Sequence, residues 1–368
     1  MSVTTAFTTA PSIEQAVDEI REQCSEITPK MVLFFASSRY DPARISKAMH
    51  DAFAGARVLG CSTAGELVSG RVLKDSIVAM AFDDRTIEDA ACSIVTDVTS
   101  PNSLSDAVRK LEGEIGTPLR ELDFQKYVGL ILIDGLSGSE ELVMDRLGDL
   151  TNMAFIGGSA GDDLKFRSTH VYLNGEAYTN AAVLAVLKPA GEFGIIKTQS
   201  FRPLGTVLVP TKVNEGRREV IEFDGMPATL AYARALGVPV EEAPKLFMHN
   251  PVGLVTGDDF FVRSPRQVEG DSILFYCMVK EGMELALLES TDIVSDTRKA
   301  VEEQVRQLGG ASAIINFHCI LRALELEEKG QNEAYGSIFA DIPTIGFSTY
   351  GEEYIGHINQ TSTMLVFK

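Results

Sequence analysis

The chain has 368 residues, 45% of them hydrophobic, and 52 acidic against 33 basic side chains for a net charge of −19. Such a length supports a large core in two or three domains, and an acidic balance with no offsetting basic cluster repels a phosphate backbone, which excludes a nucleic-acid partner. No apolar run approaches the roughly 20 residues that span a bilayer, and the polar start lacks a basic flank before an apolar segment, so no membrane insertion and a cytoplasmic location are expected.

Residues 12–27 open on Ser12 as an N-cap and carry Ile13, Ala16, Val17 and Ile20 at helical spacing, which predicts a leading helix within residues 1–30. Residues 31–35 form a continuously apolar strand, 44–54 a helix, 57–61 a second strand and 76–82 a third. A helix over 103–115, capped by Ser103 or Ser105, precedes a return of the same order: strand 128–133, helix 140–150, strand 154–157, then strands 171–173 and 181–187. From first strand to turn serine the distance is about 30 residues in both units, a period typical of duplicated supersecondary structure.

Strand-like runs at 245–248, 272–277 and 284–288 and helices near 227–236 and 292–308 follow. A third copy closes the chain, with strand 313–320, a helix near 332–340, and strands 344–347 and 363–367. The polar stretch 211–218 suggests a boundary near residue 223. The predicted fold class is α/β, with an α+β-like character: repeated strand-helix-strand-strand units form mixed sheets covered by helices, in domains 31–223 (two internal repeats) and 224–368.

Each copy ends a strand in nearly the same turn: Gly60-Cys-Ser-Thr-Ala-Gly-Glu66, Gly157-Gly-Ser-Ala-Gly-Asp162 and Gly346-Phe-Ser-Thr-Tyr-Gly-Glu352. Glycine permits close backbone approach, hydroxyls and amides at a strand end can hold a polar ligand, and the carboxylate can take a cationic group. The candidate ligand-binding residues are therefore Cys61, Ser62, Thr63, Glu66, Ser159, Asp162, Ser348, Thr349, Tyr350 and Glu352. The same residue types also make tight turns that bind nothing.

Read as a strand, residues 314–322 place Asn316, His318, Ile320 and Arg322 on one face. A buried imidazole and guanidinium need partners, so these groups either pair within the fold or face a pocket. His50, His170, His249 and His357 make no HxxxH or other strong metal spacing. Five cysteines without CxxC indicate neither a disulfide framework nor a zinc site. Gly135-Leu-Ser-Gly-Ser139 lacks the final glycine of a nucleophile elbow, and Ser137 with Glu140 reads as a capping box. Cys61 or Ser62 is a candidate nucleophile only if a base approaches in space, and no Walker loop or GxGxxG is present.

On these turns, on Ile156-Gly-Gly-Ser-Ala-Gly-Asp-Asp163 and on Phe317-His-Cys-Ile-Leu-Arg322, the chain resembles FIST-domain proteins, with residues 32–223 similar to the FIST N region and 224–367 to the FIST C region. The resemblance implies a sensor of a small-molecule ligand, with amino acids suggested, that signals in trans to a partner such as a histidine kinase or a cyclic-di-GMP enzyme. One branch of the family binds haem and responds to nitric oxide. It implies haem b as a cofactor here, with His318 as axial ligand and Arg322 placed to pair with a propionate. A non-haem ligand, and a hydrolase using Cys61 or Ser62, stand as alternatives.

Overall fold

The computed structural model describes residues 2–257 and 259–368. By packing the chain forms two units: one comprises residues up to Thr198 with Thr297–His357 and Ser362–Lys368, and the other Gln199–Asp296 with Ile358–Thr361. This division differs from a linear one at residue 223, because the third repeat packs with the first two.

The larger unit holds three six-stranded mixed sheets, each built on a central parallel pair: Met31–Ser37 with Arg57–Thr63, Val128–Ile133 with Phe155–Ser159, and Ala313–Cys319 with Thr344–Thr349. Antiparallel to each first strand runs Ile77–Phe82, Ala182–Pro189 or Thr361–Phe367. The inner faces share one apolar core, in which Phe35, Phe317 and Phe347 meet at ring-centroid distances of 4.5 to 6.4 Å. Burying each such ring contributes about 1.5–3 kcal/mol.

Helices cover the outer faces. Ile13–Gln23 and Pro42–Ala52 start where Ser12 and Asp41 accept the amides of Gln15 and Arg44, and their apolar stripes pack on Val32 and Phe34. Pro101–Ile115 and Glu140–Leu150 cover Ile131 and Ile133 in the same way. Ser100 and Ser139 stand at their N-caps, so the caps expected from Ser103 or Ser105 and the capping box on Ser137 do not form; Ser137 Oγ instead accepts the amide of Ser139.

Each turn leads into a short hairpin that joins a different repeat's sheet. Glu66–Val68 and Arg71–Leu73 extend the third sheet, Val171–Leu173 and Glu176–Tyr178 the first, and Glu352–Tyr354 with His357–Ile358 the second. The exchange is cyclic, so no repeat completes its own sheet.

In the smaller unit, a four-stranded and a five-stranded sheet and the helix Ala228–Leu236 enclose a core of Val220, Phe223, Tyr232, Ile273 and Leu287. The strand expected at 245–248 is instead the end of a 3-10 helix, Val240–Leu246, and a turn, since Pro244 supplies no ladder amide.

Candidate functional site

The three turns converge at the carboxyl ends of the three parallel pairs, the location where α/β sheets bind ligands. The backbone closes a ring there. Gly161 N donates to Ser62 O at 2.9 Å, Ala64 N to Ser348 O at 3.2 Å, and Tyr350 N to Ser159 O at 3.1 Å. Each donor lies two residues beyond its own turn serine, so the ring has threefold equivalence. Ser348 N to Gly65 O and Ser159 N to Gly351 O, both 2.8 Å, reinforce it, and Ser62 Oγ donates to Gly161 O at 2.7 Å.

Ten of the sequence-derived residues thus belong to one junction. Counting from the ring, the residue equivalent to Glu66 and Glu352 is Asp163, and Asp162 occupies the position of Gly65. The carboxylates face the protein itself: Glu66 accepts from Thr63 Oγ1 and from the amide and hydroxyl of Ser76 at 3.2 and 2.6 Å. Glu352 accepts from Thr349 Oγ1 at 2.5 Å, and Ser159 Oγ donates to Glu353 at 3.2 Å. Burial pushes the Glu66 carboxyl up to about 8, against the pull of its donors. Asp163 accepts from Ser37 Oγ and from the amide and hydroxyl of Ser38 at 3.1, 3.1 and 2.5 Å.

Asp162 organises the long connection after the second turn. Its oxygens accept the amides of Phe166, Arg167 and Ser168 at 2.8, 2.6 and 3.1 Å and the Tyr350 hydroxyl at 2.5 Å. Burial alone would raise its pKa, but these donors outweigh it and hold the carboxyl below its usual value. The segment so held has Asp163, Leu164 and Phe166 at φ of 54, 60 and 50°, a left-handed run of non-glycine residues that only such bonding sustains. Phe166 stacks on Tyr350 at 5.1 Å.

Two cavities flank this connection. One of about 180 Å³ is lined by Ser38, Ser62, Lys165, Arg167, Ser168, His170 and Tyr172 among others. The second, about 110 Å³, lies between Leu73, Asp163, Leu164, Leu324 and Ser348, with Lys74 and Glu327 paired at 2.7 Å among its lining residues. Sequence reasoning missed the residues of 163–172; the available signal was length, since eleven residues separate Ser159 from the strand at Val171 while the first turn runs directly into Glu66.

Asn316, His318 and Arg322 stand apart from the ring, on the outer side of the third sheet. The strand stops at Cys319 and a helix, Ile320–Glu328, begins, so the alternation expected through Arg322 is interrupted and Arg322 projects from a helix. Tyr335 Oη lies 2.9 Å from His318 Nδ1 and accepts from Asn316 Nδ2 at 3.2 Å, and Arg322 Nη2 donates to Thr297 Oγ1 at 2.7 Å. Burial, with the Arg322 charge nearby, holds His318 well below its ordinary pKa, so the imidazole is neutral. Its Nε2 is buried without a hydrogen-bond partner. As placed, the ring does not offer an open axial position to haem: Tyr335 covers it at 4.5 Å between centroids, it is 5% exposed, and it lines neither cavity. Among the described residues no cluster of three or more His, Cys, Asp or Glu can hold a metal ion.

Cys61 lies in the shared core with no exposure, and burial pushes its thiol well above the usual range, the opposite of what a nucleophile needs. Ser62 Oγ is engaged by Gly161 O and by the His170 amide at 2.9 Å, which leaves it a structural hydroxyl.

Repeated α/β units that exchange hairpins and lock their polar turns together beside small cavities define the class of this protein by its architecture. Residues 30–226 match the FIST N domain and 228–354 the FIST C domain, and the chain belongs to the FIST family. Domains of this family are small-ligand sensing domains of signal transduction. The chain is also similar to an uncharacterized protein of Methanocaldococcus jannaschii, 26% identical over 268 residues, which is 67% of this chain and 51% of that protein. It therefore spans about half the length of the curated relative it matches.

Proposed function

We propose that this protein senses a small molecule in the 180 Å³ cavity beside the turn ring and passes the signal to a separate protein, such as a histidine kinase or a cyclic-di-GMP enzyme. One observation carries the reading: the Gly161–Ser62, Ala64–Ser348 and Tyr350–Ser159 hydrogen bonds close a ring. A ligand that shifts the second turn therefore changes the hydrogen bonds of the other two, and through the exchanged hairpins all three sheets. The family's role in sensing supports the same reading. The buried Cys61 and the occupied Ser62 favour binding over hydrolysis.

The test is native mass spectrometry of freshly purified protein, together with thermal-shift screening against a panel of small metabolites. A retained small-molecule mass, or saturable stabilisation by one class of compound, is expected. Absence of both across the panel removes the sensor reading. A Soret band of one haem per chain after reconstitution replaces it with a haem-based one, in which nitric oxide is the signal.

A further inference from the structure

The chemistry of the cavity can be taken further, on the basis of that reading. Its lining is rich in hydrogen-bond donors. Lys165 reaches Ser38 Oγ at 2.8 Å and lies 3.5 Å from Asp163, so it is partly compensated. Arg167 is exposed; its amide donates to Asp162, and its guanidinium makes no hydrogen bond or ion pair among the described residues. Tyr172 is 1% exposed, stacks on Phe34 at 5.3 Å, and its hydroxyl has no partner among the described residues. Tyr172 lines the cavity, so its hydroxyl is free to donate to a group bound there. Acceptors are fewer: His170, whose pKa burial lowers, offers a ring nitrogen. Asp162 lines the cavity, but its two oxygens already take three amides and a phenol, which fills the lone pairs of a carboxylate. Ser62 Oγ is committed in both roles.

We propose that this cavity binds a small anion, a carboxylate or phosphate group, through Arg167, Lys165 and the Tyr172 hydroxyl. A guanidinium suits a planar or tetrahedral oxyanion through paired N–H donors, and the phenol adds a third. The volume corresponds to about six waters at roughly 30 Å³ each, enough for such a head group with a short stem. Against a chain of net charge −19, two neighbouring cations, one of them with an unpaired guanidinium, are a distinct electrostatic feature.

The experiment is calorimetric titration of the full chain at constant ionic strength with inorganic phosphate, acetate, glycine and methylammonium. Phosphate or acetate is expected to bind saturably and methylammonium not to bind. The preferred anion tells a phosphorylated ligand from a carboxylic one. Arg167→Gln, which changes an exposed side chain and leaves the backbone amide bonded to Asp162, is expected to keep the fold and raise Kd about tenfold or more; Tyr172→Phe is expected to weaken binding with an unchanged circular dichroism spectrum. Equal anion affinity in both variants, methylammonium binding as tightly as acetate, or no anion binding at all overturns the assignment. If an uncharged or cationic metabolite still binds the wild-type protein and Arg167→Gln alike, the anion site is lost while the sensor reading stands.

Discussion

The Tyr350 hydroxyl donates to Asp162 Oδ1 at 2.5 Å, joining the third repeat to the second across 188 residues of chain. Because Asp162 also collects three amides of its own loop, this bond ties the wall of the 180 Å³ cavity to the turn ring. Tyr350→Phe keeps the stack on Phe166 and removes only the hydroxyl. A hydrogen bond to a charged group contributes about 1.5–3 kcal/mol, and the hydroxyl also accepts the amides of Leu164 and Asp162 at 2.9 and 3.3 Å, so chemical denaturation is expected to show a loss of at least that size. The folded-state pKa of Asp162 is depressed, so its contribution is present above its unfolded value and lost as pH falls through the lower folded value. The variant is expected to lose less stability on acidification than the wild type; an unchanged acid limb would show that the phenol does not hold the carboxylate.

Glu66 has the opposite linkage. Its folded-state pKa is raised to about 8 by burial, so between its unfolded value of 4.5 and 8 the folded protein holds a proton that the unfolded chain releases. That contribution is fully present below 4.5 and lost as pH rises through 8. Glu66→Gln can accept from Ser76 through its carbonyl and donate to Thr63 through its amide, so it is expected to fold and to flatten this part of the pH–stability curve. Glu66→Ala strands the Ser76 and Thr63 donors, at about 1–3 kcal/mol for each buried group left unsatisfied. If Glu66→Gln follows the wild-type curve, the carboxyl is not the titrating group.

The turns were legible in the sequence because their chemistry is local: glycine for close approach, serine and threonine for capping, a carboxylate to receive them. The repeat order followed from apolar runs of strand length. The hairpin exchange was not legible, since strands of three residues such as Glu66–Val68 carry no periodicity and their partners are chosen by tertiary packing. The connection 163–168 was also hidden, because left-handed Asp163, Leu164 and Phe166 are held by Asp162 against their own preference. At 314–322 a period of two and a period of 3.6 both accommodate the residues, and the change from strand to helix at Ile320 lies inside the ambiguous run.

His357 and Glu353 form a buried pair, Nδ1 to Oε1 at 2.9 Å. Burial alone would lower the imidazole, but the carboxylates of Glu353, Glu141 and Glu140 outweigh it and hold His357 at about 9. This stabilisation is present below the unfolded histidine value of 6.5 and lost as pH rises through 9. Glu353→Gln leaves a buried charge without its closest counter-ion, a change that typically costs about 3–5 kcal/mol. Urea unfolding at pH 6 and at pH 10 checks this: the wild type is expected to lose stability between the two, and the variant to lose much less.

One glycine recurs at the same rung of each parallel pair. Gly60 lies opposite Phe34, Gly157 opposite Ile131 and Gly346 opposite Asn316. A Cβ added there would lie 2.0, 1.7 and 2.3 Å from the carbonyl oxygens of those partners, and a backbone oxygen in a sheet centre has nowhere to move. Alanine at any of the three is therefore expected to cost at least the upper end of the about 1–3 kcal/mol of ordinary overpacking and to loosen the turn ring two residues away. The control is Gly113→Ala, on the exposed face of the helix Pro101–Ile115, where an added Cβ meets nothing within 4 Å. Replacing a helical glycine by alanine stabilises by about 0.5–1 kcal/mol. Opposite signs for the two kinds of alanine, with similar losses at all three repeats in thermal unfolding, are the expected result. Tolerance at Gly157 alone would mean that the second repeat does not share the close backbone approach on which the threefold ring depends.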